Sequence, residues 1–135
     1  MLNVVIVEDS KLLVERLVEN ITDPGRIEVV GLADREKEAI ELLVKGDADA
    51  LILDIYLAEG NGLNVLREVR RVRSKTELAI IVLTNEVSAG CRSESMRLGA
   101  DYFLDKSIEI DQLNDILSDI SQRGASDSGR QFAPS

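Results

Sequence analysis

Short apolar runs alternate with amphipathic stretches along the whole chain, and this alternation restricts the fold more than any other feature. Leu2 to Val7 carries the β-branched cluster Val4-Val5-Ile6-Val7 and reads as a buried strand. Ser10 is placed to cap a following helix in which Leu13, Leu17 and Ile21 share a face, before Pro24-Gly25 stops it. Ile27 to Leu32 reads as the second strand, about Asp34 to Lys45 as the second helix, and Ala50 to Leu53 as a third strand ending at Asp54. The Gly-rich loop Glu59-Gly60-Asn61-Gly62 leads into a helix with Leu66 and Val69 on one side. Leu78 to Leu83 is the fourth strand, about Ser88 to Leu98 a helix closed by Gly99, and about Tyr102 to Leu104 the fifth strand. In the last helix Leu113, Ile116, Leu117 and Ile120 stand at i, i+3, i+4 and i+7. Strands apolar throughout, separated by amphipathic helices, require a parallel sheet covered on both faces. Right-handed crossovers then bring all the strand C-termini to one edge, where open α/β sheets bind ligands.

Composition narrows the chemistry. Histidine is absent among the 135 residues, which removes Ser-His-Asp and Cys-His catalysis and histidine-ligated zinc. The single cysteine, Cys91, cannot form an internal disulfide; a small, partly buried side chain is the plainer reading than a reactive thiol. A net charge of −9 disfavours contact with nucleic acid or an anionic membrane. No apolar run approaches the roughly 20 residues that span a bilayer, and no basic leader precedes the first strand, so a cytoplasmic location is expected. The residues split into a domain over 1–122 and a flexible tail over 123–135, with a linker to a further domain as the alternative for the tail.

The residues just past each strand carry the functional signal. Glu8 and Asp9 follow the first strand, Asp54 the third, Thr84 the fourth and Lys106 the fifth. Taken singly, each has an ordinary explanation: acids at a helix start, a turn aspartate, a capping hydroxyl, a surface lysine. Their meeting on one edge is harder to explain that way. Three carboxylates together repel unless a cation holds them, and oxygen ligands without histidine or cysteine suit Mg²⁺, Mn²⁺ or Ca²⁺. A lysine charge and a threonine donor complete what phosphoryl transfer to a carboxylate needs.

In Val-Val-Ile-Val-Glu-Asp-Ser, Leu-Ile-Leu-Asp-Ile-Tyr-Leu, Ile-Ile-Val-Leu-Thr-Asn and Gly-Ala-Asp-Tyr-Phe-Leu-Asp-Lys-Ser, in that order, the chain resembles the receiver domain of bacterial two-component response regulators over about residues 1 to 121. The resemblance implies a doubly wound, five-stranded parallel sheet of flavodoxin-like order 2-1-3-4-5 with five helices. It implies that Asp54 is the phospho-acceptor and that Glu8, Asp9, Asp54 and the Tyr56 carbonyl bind Mg²⁺, with Mn²⁺ as a substitute. Lys106 and Thr84 would contact the phosphoryl group. Phe103 falls at the switch aromatic, with Tyr102 beside it; core packing is the plain alternative for Phe103. The phosphodonor would be a sensor histidine kinase or a histidine phosphotransfer protein, and the output a downstream protein target or a phosphorylation-dependent homodimer.

Some positions depart from the pattern. Glu8 replaces the usual Asp, which allows metal contact through water. Ala58 replaces a common proline and is expected to loosen its loop. Asn85 follows Thr84 where a small residue is common, narrowing access. Ser107 replaces a proline, so no cis peptide is expected. A phosphatase of the haloacid dehalogenase type would need a second Asp at Tyr56, and a flavodoxin-like phosphate binder would be repelled by Glu8-Asp9. No Walker motif occurs. The chain is therefore expected to be a stand-alone receiver that is not a conventional enzyme, the alternative being the receiver half of a longer DNA-binding regulator.

Overall fold

The computed structural model describes residues 1–130, with side-chain environments through residue 123. The elements alternate as β1 (Leu2–Val7), α1 (Lys11–Ile21), β2 (Ile27–Ala33), α2 (Glu36–Lys45), β3 (Ala50–Leu53), α3 (Gly62–Val72), β4 (Ala79–Thr84), α4 (Ala89–Arg97), β5 (Tyr102–Asp105) and α5 (Gln112–Arg130). The strands form one sheet in the order β2-β1-β3-β4-β5, every pairing parallel. This is the doubly wound architecture expected from the apolar alternation.

Strand side chains point alternately to opposite faces, and the core divides accordingly. Val5, Val7, Leu51 and Leu53 join Leu43 of α2 and Val65, Leu66 and Val69 of α3 on one side. Val4, Ile6, Ile52 and Ile81 join Leu17 and Ile21 of α1 and Leu113, Leu117 and Ile120 of α5 on the other. Each such side chain, once buried, contributes about 1.5–3 kcal/mol, so the central strands are anchored from both faces. Three helices begin on side-chain caps: Ser10, Asn61 and Ser88 accept from the backbone N–H of Leu13, Leu63 and Cys91.

Some boundaries differ from the sequence expectation. The second helix starts at Glu36 rather than Asp34, because the Asp34 carbonyl instead accepts from the Ala58 N–H at 2.9 Å. The second strand is not buried on both faces: Val30 and Leu32 are 50% and 52% exposed, since β2 lies at the sheet edge. The backbone of α5 is helical to Arg130, as Gly124 and Gly129 weaken a helix without ending it. Residues 131–135 of the tail expected from residue 123 lie outside the described residues. Among the described residues, no helix is long and apolar enough to cross a membrane.

Candidate acidic phospho-acceptor site

Ladder hydrogen bonds position the strand-end residues. The Glu8 N–H donates to Ala33 at 3.0 Å, the Asp54 N–H to Val7 at 2.9 Å and the Lys106 N–H to Thr84 at 2.9 Å. Glu8, Asp54 and Lys106 are thus each the first residue beyond a paired strand, and Thr84 is the last member of its own. Beneath Asp54 lies Gly62, whose missing Cβ would sit 2.2 Å from the Asp54 carbonyl oxygen. Only glycine allows α3 to start that close to the acceptor strand.

The structure brings Glu8, Asp9 and Asp54 together, each offering a carboxylate oxygen within 4.8 Å of the others. Glu8 and Asp54 are buried, whereas Asp9 is exposed. The Lys106 Nζ bridges the two buried carboxylates, 2.8 Å from Glu8 Oε1 and 2.8 Å from Asp54 Oδ2. The remaining oxygens have weaker tethers: Glu8 Oε2 accepts from the Ser10 N–H at 2.9 Å and Asp54 Oδ1 from the Tyr56 N–H at 3.4 Å. Burial pushes the Glu8 carboxyl above its usual value, against the opposing hydrogen bond from Lys106. Burial also pulls on the Lys106 ammonium, but its hydrogen bonds to Asp54 and Glu8 outweigh that and raise it overall. One cation shared by two carboxylates leaves the pair under-compensated, and a divalent ion would relieve that deficit. The oxygen-only, closely spaced donor set therefore fits Mg²⁺, with the longer Glu8 still within reach of the cluster.

Thr84 is fully buried, and its Oγ1 accepts from the Glu86 N–H at 3.2 Å. Tyr56 is exposed at the mouth, and its hydroxyl donates to Glu86 Oε2 at 3.1 Å, which also raises its pKa. This link crosses between the loops after β3 and β4. Asn85, where narrowing was expected, is exposed, and the crossing contact belongs to Glu86. Sequence reasoning passed over Glu86. The signal was present, because Tyr56 and Glu86 each stand two residues beyond a strand-end functional residue on adjacent parallel strands.

Phe103 and Tyr102 part company. The Phe103 ring is buried on the α3 side of the sheet, with the Arg92 guanidinium of α4 4.9 Å from its centroid. Tyr102 packs on the α5 side, where its hydroxyl accepts from Arg123 at 2.8 Å. The two aromatics do not share a site. Among the described residues the peptide bonds are all trans, that before Ser107 included, and Ser107 donates through both N–H and hydroxyl to Asp105 Oδ1.

The loop carrying Ala58 is braced from outside, contrary to the looseness expected without a proline. Glu36 Oε1 accepts from the Asn61 N–H at 2.9 Å and from Asn64 Nδ2 at 3.2 Å, and the Glu36 N–H donates to Glu59 at 2.9 Å. Arg35 pairs with Glu59 at 2.7 Å. Gly60, at φ +89°, lets the loop pass against Glu36, whose Cβ would lie 2.3 Å from any Cβ at that position.

Comparison with known proteins follows the same lines. The response regulator receiver domain family matches residues 4–118. The chain is 33% identical over 124 residues to the transcriptional regulatory protein CusR of Escherichia coli K12, covering 92% of this chain and 53% of CusR. It spans about half the length of the curated relatives it matches. Among solved structures, the response regulator domain of Thermotoga maritima CheB superposes with a TM-score of 0.75 at 25% identity, covering 90% of this chain and 95% of that one. The receiver domain of a Pseudomonas aeruginosa PAO1 sensor histidine kinase, whose active-site cleft coordinates a magnesium ion, gives 0.73 at 22% identity over 90% and 98% of the two chains.

Proposed function

Because the chain belongs to the response regulator receiver domain family, we propose that Asp54 accepts a phosphoryl group from a phosphohistidine on a partner protein, in a reaction that needs Mg²⁺. The observation that carries this reading is the convergence of Glu8, Asp9 and Asp54 oxygens within 4.8 Å, with the Lys106 ammonium 2.8 Å from the acceptor. Glu8, Asp9, Asp54 and the Tyr56 carbonyl would hold the metal, which neutralises charge on the transferring oxygens. An Asp54 carboxylate oxygen forms the new O–P bond as the P–N bond to the imidazole breaks, and the imidazole leaves with the electron pair and takes up a proton.

The chain's own residues then have distinct tasks. Lys106 supplies a point charge that can pass from the carboxylate to a phosphoryl oxygen. Thr84 accepts from Glu86 through its oxygen, which leaves its proton available for a second phosphoryl oxygen. If Thr84 moves toward that oxygen, Phe103 is the neighbouring aromatic able to shift, and α4 and β5 would carry the change to the surface. Tyr102, tied to Arg123 on the other face, is a weaker candidate for that movement. The partners in this reading are a sensor kinase or phosphotransfer protein upstream and a protein target downstream. The domain turns over no external substrate beyond its phosphodonor.

A second reading is favoured by one observation. CusR is named a transcriptional regulator, and the match covers only 53% of it. The same receiver chemistry would then govern a separate DNA-binding part.

The test is incubation with acetyl phosphate and Mg²⁺ followed by intact-mass measurement. The wild-type protein is expected to gain one phosphoryl group, Asp54→Asn none, and EDTA should suppress the gain. Labelling that persists in Asp54→Asn would overturn the assignment.

A further inference from the structure

Beside the acidic site, a groove of about 370 Å³ opens between the first turn of α1, the end of β2 and the start of α2. Val14, Leu32 and Ala33 give it an apolar floor. Leu32 is 52% exposed, and Val30, earlier on the same strand, is 50% exposed. An edge strand showing large aliphatic side chains is ordinarily covered or charged, and a patch of this kind marks an interaction surface.

The rim states what kind of partner fits. Asp9, Glu15 and Glu38 line the groove and form no ion pair among the described residues; Lys11 is the one cation lining it. Asp34 has only the exposed Arg35 guanidinium nearby, at 3.5 Å. A second copy of this chain would bring a matching set of carboxylates onto these, with each copy carrying a net charge of −9. Like charges set against each other in an interface are strongly unfavourable. An occupant with cations flanking an aliphatic stripe meets both requirements at once.

We propose that this groove docks a basic amphipathic segment of a partner protein, its aliphatic side chains on Val14 and Leu32 and its lysines or arginines against Glu15 and Glu38. The surface is separate from the acceptor chemistry except at Glu8 and Asp9, which line both. The contacts proposed for docking, on Val14, Leu32, Glu15 and Glu38, use neither shared residue, so docking can be read on the unphosphorylated protein apart from the acceptor chemistry.

The probe is a synthetic amphipathic peptide of alternating leucine and lysine blocks, titrated by fluorescence anisotropy at moderate salt, with a leucine–glutamate counterpart as control. The protein is used as wild type, as Glu15→Lys with Glu38→Lys, and as Glu68→Lys with Glu94→Lys. The last pair makes the same charge change on α3 and α4. Reversing the rim is expected to weaken binding by about tenfold or more, and the distant reversal by less than about twofold. Methyl NMR should place the bound peptide at Val14 and Leu32. Equal losses from the two reversals would reduce the effect to diffuse attraction and overturn the proposal. So would binding of the glutamate peptide, or concentration-dependent self-association that Leu32→Lys abolishes. Should the rim reversal fail to fold, Leu32→Lys at an exposed position gives the same readout. Acetyl phosphate labelling is expected to survive in the rim variant; its failure in the wild-type protein would count against the acceptor reading alone.

Discussion

Replacing Lys106 with methionine removes the ammonium while keeping most of the stem, so it tests the buried charge with little change in packing. The ammonium touches Glu8 and Asp54 at 2.8 Å each, and the three side chains are 15%, 3% and 6% exposed. At an effective dielectric near 20, each contact is worth roughly 6 kcal/mol before desolvation. Most of that is offset by removing three charges from water and by repulsion between the two carboxylates. Deleting one partner of such a buried group typically costs about 3–5 kcal/mol, because the other charges stay behind uncompensated. We expect Lys106→Met to lose about 3 kcal/mol in EDTA at neutral pH, read as a lower urea midpoint with an unchanged slope. Added Mg²⁺ should restore more stability to the variant than to the wild type, since it replaces the missing cation. The pH dependence has a definite sign. Glu8 is raised by burial in the folded protein, so its contribution is fully present below its unfolded value of 4.5 and is lost as pH rises through the folded one. Lys106 is raised from 10.5, so its contribution persists across neutral pH and is lost only as pH climbs past its folded value. Without Lys106, whose hydrogen bond lowers Glu8, the folded Glu8 value moves further up. The variant's deficit should therefore shrink on acidification toward pH 4.5 and grow toward neutrality. A deficit under about 0.5 kcal/mol at neutral pH, or one that acid leaves unchanged, would refute the reasoning.

Other perturbations probe separate parts of the site. Gly62→Ala places a Cβ 2.2 Å from the Asp54 carbonyl oxygen and 2.8 Å from the Ile55 Cα. Backbone cannot yield as a flexible side chain does, so we expect a loss of roughly 1–3 kcal/mol in urea unfolding together with weaker Mg²⁺ binding; wild-type values for both would contradict the close approach. For Arg92 and Phe103, a double-mutant cycle with Arg92→Ala and Phe103→Leu should return a coupling of about 0.5–1 kcal/mol. A coupling of zero would mean that the guanidinium adds nothing to holding the ring.

The legible part of this protein is what two-sided burial imposes. Leu51, Ile52 and Leu53 are apolar because helices cover both faces of the sheet there, and Asp54 is conspicuous because it ends that run. Once the strands are known to be parallel, their C-terminal ends share one edge, which puts Glu8, Asp9, Thr84 and Lys106 on the edge that holds Asp54. What lay beyond reach were contacts with no period behind them. Nothing local marks Glu36 as the partner of Asn61, a contact between segments remote in sequence; Glu86 is different, since it and Tyr56 stand at matching positions two residues past adjacent strand ends. The separation of Tyr102 from Phe103 could have been read from strand alternation, which sends neighbours to opposite faces. The exposure of Val30 and Leu32 is not marked by the residues themselves, since an apolar edge strand and an apolar central strand look alike; only the order 2-1-3-4-5 implied by the resemblance puts that strand at the edge.

The grip of Glu36 on Asn61 and Asn64 has a mechanical implication. The loop after Asp54 has its own hydrogen bond from the Gly62 N–H to Ile55, and the first turn of α2 adds a second hold on it from the sheet edge. A shift of α2 at that edge would act on this loop through the Glu36 carboxylate. The β2–α2 connection and the loop after β3 are thereby joined through a carboxylate outside the acidic cluster.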